Sequence, residues 1–472
     1  MSDAQADAVR RTADDPVDVG PRALWPLALP AAREPVKPSS STADFRGADA
    51  PRRRPVLPHG IKKTSFFFRR LRHLVAGIRR EPSLRIDRGA AEVAGRAQAQ
   101  FQRIMQLTYP VSHIATAIDT VLGTRPVLQV RMFMEQRYRG VAPAGVLKIQ
   151  KGGFLGAGTY GAVFAVATLD GSAKYAMKIL LARCTFQTRD AATRLHVRRE
   201  TTRITNVISF FRGIPRDRLR EERLAPPLFG GRITDAPEAF LVAEDRCCSN
   251  VVFFYPLMAA DIHGVVYSQH LGVLSDDGRL HLTHGMVAAV ANLHEYGLIH
   301  GDVKMENFLV SQAGEVFLAD LDTVVREWEP FRRLTPAVYT DPDAAAVSWR
   351  AVQRNEYFAA GMWTARVEVP PLFASKYVDA WSLGVTLYKL WCGVLPWRLD
   401  AACYATNSKR LKRLARVKER GEQVAFIDCR RDRPVPTNVR QLITGFLNFH
   451  QLFRVLPEAA LRLFSSIGEA TV

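Results

Sequence analysis

One short segment constrains this chain more than any other. Residues 300–310 read His300-Gly301-Asp302-Val303-Lys304-Met305-Glu306-Asn307-Phe308-Leu309-Val310. An aspartate, a lysine two positions later and an asparagine five positions later supply three different chemistries. The carboxylate can orient a hydroxyl nucleophile and accept its proton. The ammonium can neutralise charge on a transferring phosphoryl group, and the amide oxygen can ligate Mg2+. Eighteen residues after Asp302, the run Val316-Phe317-Leu318-Ala319-Asp320-Leu321-Asp322 reads as a strand delivering a second carboxylate. Asp320 suits a metal bridging β- and γ-phosphates.

Upstream lie two further signals. Leu155-Gly156-Ala157-Gly158-Thr159-Tyr160-Gly161-Ala162-Val163 contains GxGxxG, a weak pattern by itself. Here it continues into Phe164-Ala165-Val166 and reads as strand–turn–strand, whereas a dinucleotide-binding loop would open a helix. In a hairpin, glycines let backbone N–H groups approach phosphates, and Val163 packs on a base. Tyr175-Ala176-Met177-Lys178-Ile179 then reads as an apolar strand with one lysine. Glu200 follows in a basic helical stretch. A strand lysine paired with a helix glutamate aims its ammonium at α- and β-phosphates.

The surrounding pattern suits such a cleft. Short Val/Ile/Phe runs read as strands from about residue 147 to 257, and apolar-periodic helices dominate from about 262. A strand-rich lobe followed by a helical lobe places a nucleotide cleft between them. Charge is concentrated ahead of that region. The chain carries 65 Lys+Arg against 46 Asp+Glu, and residues 1–150 hold 25 and 13 of these, a net +12. An excess of this kind prefers an anionic partner.

Residues 1–60, rich in Ala, Pro, Asp and Arg without periodicity, read as disordered. Ala23–Ala32 is a poor signal peptide, because prolines interrupt it and acidic residues precede it. Within Ser65–Arg80, Phe67, Leu71, Leu74 and Ile78 fall on one helical face, with Arg69, Arg72, Arg79 and Arg80 mainly opposite. An interfacial membrane helix, a helix packed on the following domain and a nucleic-acid arm all fit that pattern. Ala90–Leu107 reads as another helix, with Val93, Phe101, Ile104 and Met105 as contacts. The charge-free stretches Ile104–Ile118 and Leu280–His294 fall short of the roughly 20 residues that span a bilayer. Among the six cysteines, Cys392, Cys403 and Cys429 share one stretch, where a single bridge and buried free thiols are both open readings.

Taken in order, the Gly-rich loop, strand lysine, helix glutamate, catalytic loop and metal aspartate resemble the protein kinase signature set. The resemblance covers residues 147–465 and implies an α+β, bilobal kinase-like fold with a basic helical extension over 61–146. It implies an ATP site formed by Leu155, Gly156, Gly158, Thr159, Tyr160, Gly161, Val163, Ala176 and Lys178. It also implies Mg2+ on Asn307 and Asp320, and catalysis by Asp302 and Lys304 with Lys178 and Glu200. Lys304 is the type expected of serine/threonine specificity, so the activity implied is a protein serine/threonine kinase acting on a protein substrate. Asp379 of Asp379-Ala380-Trp381-Ser382-Leu383-Gly384 resembles the aspartate that braces the catalytic loop, and Arg454 the late-helix arginine.

The finer resemblance is to the rhoptry kinase family of apicomplexan parasites. It rests on HGDVKMENFLV, the Asp-Leu-Asp turn and the Phe/Arg-rich helix ahead of the kinase region. It implies a secreted effector of the rhoptry, destined for the host cell or the parasitophorous vacuole membrane, with Ser65–Arg80 on an anionic membrane surface rather than on nucleic acid. Because relatives in that family have lost catalytic residues, a pseudokinase scaffold is the alternative. Three positions depart from the kinase pattern. Gly301 replaces the arginine that pairs with a phosphorylated activation loop, so activation by loop phosphorylation is not expected. Asp322 replaces a glycine, which adds a metal or polar contact or stiffens the turn. Pro370-Pro371-Leu372 lacks the usual glutamate partner of Arg454, for which Glu368 is the candidate substitute.

Overall fold

The computed structural model describes residues 82–106, 113–122, 127–133, 145–158, 161–183, 189–243, 246–268, 271–331, 336–359, 372–427, 429, 432 and 434–465. Residues 1–60 and Ser65–Arg80 lie outside them.

Helix α1 (Pro82–Gln106) includes the helix expected from residue 90. Val93 and Ala97 are completely buried, whereas Met105 is half-exposed. After α2 (His113–Leu122) comes β1 (Val127–Met132), in a stretch that the sequence placed in the helical extension. Leu128, Val130 and Met132 are buried, and Gln129 and Arg131 between them are exposed. That two-residue alternation, read over a basic stretch too short to announce itself, makes the strand.

The lobe continues with β2 (Val146–Ala157), β3 (Gly161–Thr168), β4 (Lys174–Arg183), α3 (Arg189–Phe211) and α4 (Arg216–Glu221). It ends with β5 (Phe229–Ile233), β6 (Ala239–Ala243) and β7 (Arg246–Pro256). All pairings are antiparallel, and they close as β1–β2–β3–β4–β7–β5–β1, with β6 added along β7. Phe164, Met177, Ile179, Phe229 and Phe254 fill the interior.

The second lobe is mainly helical. It runs through β8 (Ala260–Asp261), α5 (Ile262–Tyr267), α6 (Asp276–Glu295), β9 (Leu298–Ile299), β10 (Phe308–Val310), β11 (Val316–Leu318) and β12 (Val325–Arg326). Helices α7 (Pro342–Ala359), α8 (Lys376–Cys392), α9 (Asn407–Glu419), α10 (Thr437–Phe446) and α11 (Pro457–Ser465) complete it. Ser275 caps α6 by accepting from Gly278 N–H, and Asp276 and Asp277 complement the dipole in its first turn. Glu92 of α1 accepts from Ser275 N–H and Oγ, which ties the extension to that cap. Helix α8 is apolar nearly all round and correspondingly buried, with Trp381, Leu383, Val385 and Trp391 in the main core. Its last residue, Cys392, is disulfide-bonded to Cys429, while Cys403 is free and exposed. No helix among the described residues is long and apolar enough to cross a membrane.

Candidate active site

The short hairpin β10–β11 brings the two halves of the constellation together. Phe308 pairs with Leu318, so Asn307 and Ala319 adjoin at its open end, where Ala319 N–H donates to the Asn307 carbonyl at 2.8 Å. His300 adds a second tie: its Nε2 donates to the Ala319 carbonyl at 2.9 Å, and its Nδ1 accepts from Asp302 N–H at 3.2 Å. Behind the loop stands Asp379, fully buried. Its oxygens accept from His300 N–H at 2.7 Å, Gly301 N–H at 2.8 Å and His294 Nε2 at 3.1 Å. Backbone donors are thus satisfied where water cannot reach them. Gly301 has φ +74°, and Phe331 Cε1 lies 2.6 Å from where a Cβ would stand. The place of the missing arginine is taken by an aromatic ring.

Within the loop, Asp302, Lys304 and Asn307 converge. Lys304 Nζ donates to Asp302 Oδ2 at 2.6 Å, and Asn307 Nδ2 donates to the Asp302 carbonyl at 2.7 Å and to Oδ2 at 3.3 Å. Asp302 Oδ1 has no hydrogen-bond partner among the described residues. The acceptor capacity of one carboxylate oxygen is therefore unused. Both Asn307 contacts employ its nitrogen, which leaves Oδ1 for a cation.

Asp320 has the left-handed conformation, φ 54° and ψ 40°, rare for a residue with a Cβ and a cost of about 1–3 kcal/mol. The 3-10 turn Leu321–Thr323 follows, with Thr323 Oγ1 donating to the His300 carbonyl at 3.1 Å. Lys178 holds Asp320 at about 2, against the opposing effect of burial. No cluster of three or more His, Cys, Asp or Glu side chains suited to a metal occurs among the described residues. Asp320 and Asn307 nonetheless fit Mg2+, which takes one or two protein oxygens and completes its shell with phosphates and water.

The Gly-rich segment is the expected hairpin, with Leu155, Gly156 and Gly158 at the end of β2 and Gly161 and Val163 on β3. Thr159 and Tyr160 lie outside the described residues. Nothing stands within 4 Å of a Cβ added at Gly156 or Gly158, so both backbones are open to approach. At Gly161 such a Cβ would meet Lys178 Cγ at 2.8 Å, so the glycine lets the lysine stem lie across the strand. Val163 pairs with Lys178 and Ala165 with Ala176, which puts Val163, Ala176 and Lys178 on one face.

One expected contact is replaced. Lys178 pairs with Asp322 Oδ2 at 2.7 Å and Asp320 Oδ1 at 3.2 Å, not with Glu200. Glu200 is engaged by Arg203 Nη1 at 2.9 and 3.0 Å, one helical turn along α3. Tyr255 and Arg203 are site residues that the sequence reading missed. The i,i+3 spacing of Glu200 and Arg203 was the available signal for the second. Burial raises the Asp322 carboxyl, with the Asp320 charge adding to it, although Lys178 pulls the other way. The expected polar contact of Asp322 is thus present. Arg454 pairs with Asp341, both buried, and Glu368 lies outside the described residues. Asp341 also accepts from Asp343 and Ala344 N–H at the start of α7, so the acid that meets Arg454 stands at the head of that helix.

Comparison with known proteins agrees with this geometry. A kinase-like family model matches residues 232–454. The serine/threonine-protein kinase ROP17 of Toxoplasma gondii is 27% identical over 332 residues, 68% of this chain and 49% of that kinase. ROP18 of the same organism, also a serine/threonine-protein kinase, is 26% identical over 39% of this chain and 26% of its own length. The chain thus spans about half or less of these curated relatives. Among solved structures, the ROP18 kinase domain in complex with AMP-PNP and sucrose superposes with a TM-score of 0.56 at 20% identity. That match covers 80% of this chain and 94% of the other. ROP2 of Toxoplasma gondii, described as a virulence factor with a protein-kinase fold and no enzymatic activity, gives 0.57 at 19% identity, covering 80% and 96%.

Proposed function

We propose, from the premise that this chain is a kinase-like protein related to the rhoptry kinases of Toxoplasma gondii, that it transfers the γ-phosphate of ATP to serine or threonine hydroxyls of a protein substrate. The observation that carries this reading is the convergence of Lys304 and Asn307 on one oxygen of Asp302, with the other oxygen unpartnered. Asp302 Oδ1 is enclosed here, so the loop must uncover it for an incoming hydroxyl, which then donates to it, is aligned and passes it the proton. Lys304, held at 2.6 Å from the same carboxylate, neutralises charge building on the phosphoryl group. Lys178 holds the α- and β-phosphates, with the Gly156–Gly161 backbone around them. Asp320 and Asn307 would hold Mg2+, which would supply charge neutralisation for the phosphates. Catalysis here is positioning and electrostatics.

Labelled-ATP phosphorylation by the full chain tests this. Asp302→Ala is expected to lower the rate by about a hundredfold or more. Equal incorporation by both proteins would remove the reading.

The relative without enzymatic activity and the Lys178–Asp322 contact favour a second reading, a nucleotide-binding scaffold. ATP binding without Mg2+-dependent transfer would select it. For localisation, resemblance to these relatives supports a rhoptry protein, and the basic, Phe-bearing pattern of Ser65–Arg80 supports secretion onto an anionic membrane. Liposome flotation of the full chain checks the last point, since Phe67→Asp with Leu71→Asp should abolish it.

A further inference from the structure

We infer that Asp322, and not Glu200, is the residue that positions Lys178 against the nucleotide phosphates in this chain. The role of Lys178 rests on the kinase reading; the choice of carboxylate rests on geometry. Asp322 Oδ2 is 2.7 Å from Lys178 Nζ, and Tyr255 Oη donates to the Asp322 carboxylate from 3.0 Å to either oxygen. The Asp322 side chain is 5% exposed, and that of Asp320 is 38% exposed. Of the two acids on Lys178, Asp320 is therefore the one accessible to a cation. Asp322 is enclosed, and its contact survives when Asp320 turns to a metal.

Glu200 is committed elsewhere. Both of its oxygens accept from Arg203 Nη1, and Nη2 of the same guanidinium donates to the Asp322 carbonyl at 2.7 Å. Moving Glu200 to Lys178 would break its charge pair with Arg203, the residue whose guanidinium also anchors the turn that carries Asp322. A glycine at position 322 would offer Lys178 no carboxylate at all, so the departure from the kinase pattern and the displaced glutamate have one explanation. Asp320 and Asp322 flank a single residue, Leu321, which is fully buried. One anchored turn thus sets both the metal carboxylate and the lysine's partner. In the usual arrangement a helix sets the second.

Titration calorimetry of the full chain with MgATP and with adenosine separates positioning from structural support, because adenosine lacks the phosphates that Lys178 would hold. Asp322→Asn is expected to weaken MgATP binding about tenfold or more, the scale of a lost charge-assisted hydrogen bond, and to leave adenosine within about twofold. Glu200→Gln should weaken MgATP binding less than Asp322→Asn does. Tyr255→Phe keeps the ring and removes the hydroxyl on Asp322; a loss of about threefold, again confined to MgATP, is expected. Unchanged MgATP affinity in Asp322→Asn, equal losses for MgATP and adenosine, or a larger loss in Glu200→Gln would each overturn the inference. Should Asp322→Asn not fold, as circular dichroism would show, Tyr255→Phe decides by the same two ligands. The kinase reading fails separately: a wild type that binds MgATP with this Asp322 dependence and transfers no phosphate refutes catalysis alone. A wild type that binds no MgATP overturns both.

Discussion

The two lobes hold their functional groups in different ways. In the helical lobe, Asp379 bonds two backbone N–H groups of the catalytic loop and one imidazole, all with the carboxylate out of water. Backbone donors cannot rotate away, so Asp302 has one address. In the strand lobe, Lys178 is held by side chains alone, and two carboxylates share it while Arg203 occupies a third. Side-chain charge contacts can exchange partners without moving the backbone. The loop that carries Asp302 is therefore preset, whereas the Lys178 network is the part whose contacts can rearrange.

The strongest way to break this contrast is Asp379→Ala. It leaves two buried N–H groups without acceptors and removes a counter-charge from His294, which together should cost about 3–5 kcal/mol. Calorimetric melting is expected to fall by about 5–10 °C, with phosphoryl transfer lost alongside. A melting point within a degree or so of wild type would show that the loop is held by something other than Asp379.

Gly301→Arg, which restores the usual kinase residue, is the next in size. The left-handed backbone and the Phe331 ring both oppose a side chain there, for an expected loss of about 1–3 kcal/mol in denaturant unfolding. Pairing it with Phe331→Ala should recover part of the loss, since only the steric half of the penalty is relieved. Full recovery would mean that the backbone conformation carries no strain.

The contrast also explains what the sequence revealed. The convergence of Asp302, Lys304, Asn307 and Asp320 was legible because their close spacing in sequence straddles the short β10–β11 hairpin, which brings its two ends together. Asp379 was legible as well, being bound to backbone that any side chain would present. The partner of Lys178 was not. Spacing placed Glu200 on the right helix, but Arg203 one turn on captures it, and Asp322 gains the lysine because Tyr255, far along the chain, completes its shell. The partner of Arg454, Asp341, stands at the head of α7, far from Arg454 along the chain and outside any spacing pattern. Local patterns fix residues bonded to backbone; they do not rank side chains that compete for one charge.

The smallest expected effect is a pH dependence confined to the preset side. His294 lies between Asp379 and Glu458, 3.1 and 3.3 Å away, with Lys376 2.8 Å from Glu458. Burial pushes the imidazole down, but hydrogen bonds and charge from the two carboxylates outweigh it and hold the group above 6.5. Burial likewise raises Glu458, and His294 with Lys376 overcomes it, leaving the carboxyl at about 2 against 4.5. A raised histidine stabilises fully below 6.5, and that contribution disappears as pH climbs through the folded value. The lowered carboxyl contributes above 4.5, and its share disappears as pH falls toward 2. Between about pH 6 and 9, wild-type melting should therefore fall by about 1–3 °C more than that of His294→Gln. Lys178, held well above 10.5, stays charged throughout that window and does not contribute to the difference. Parallel profiles for the two proteins would mean that His294 is neutral in the fold, and that Asp379 holds the catalytic loop without a cation behind it.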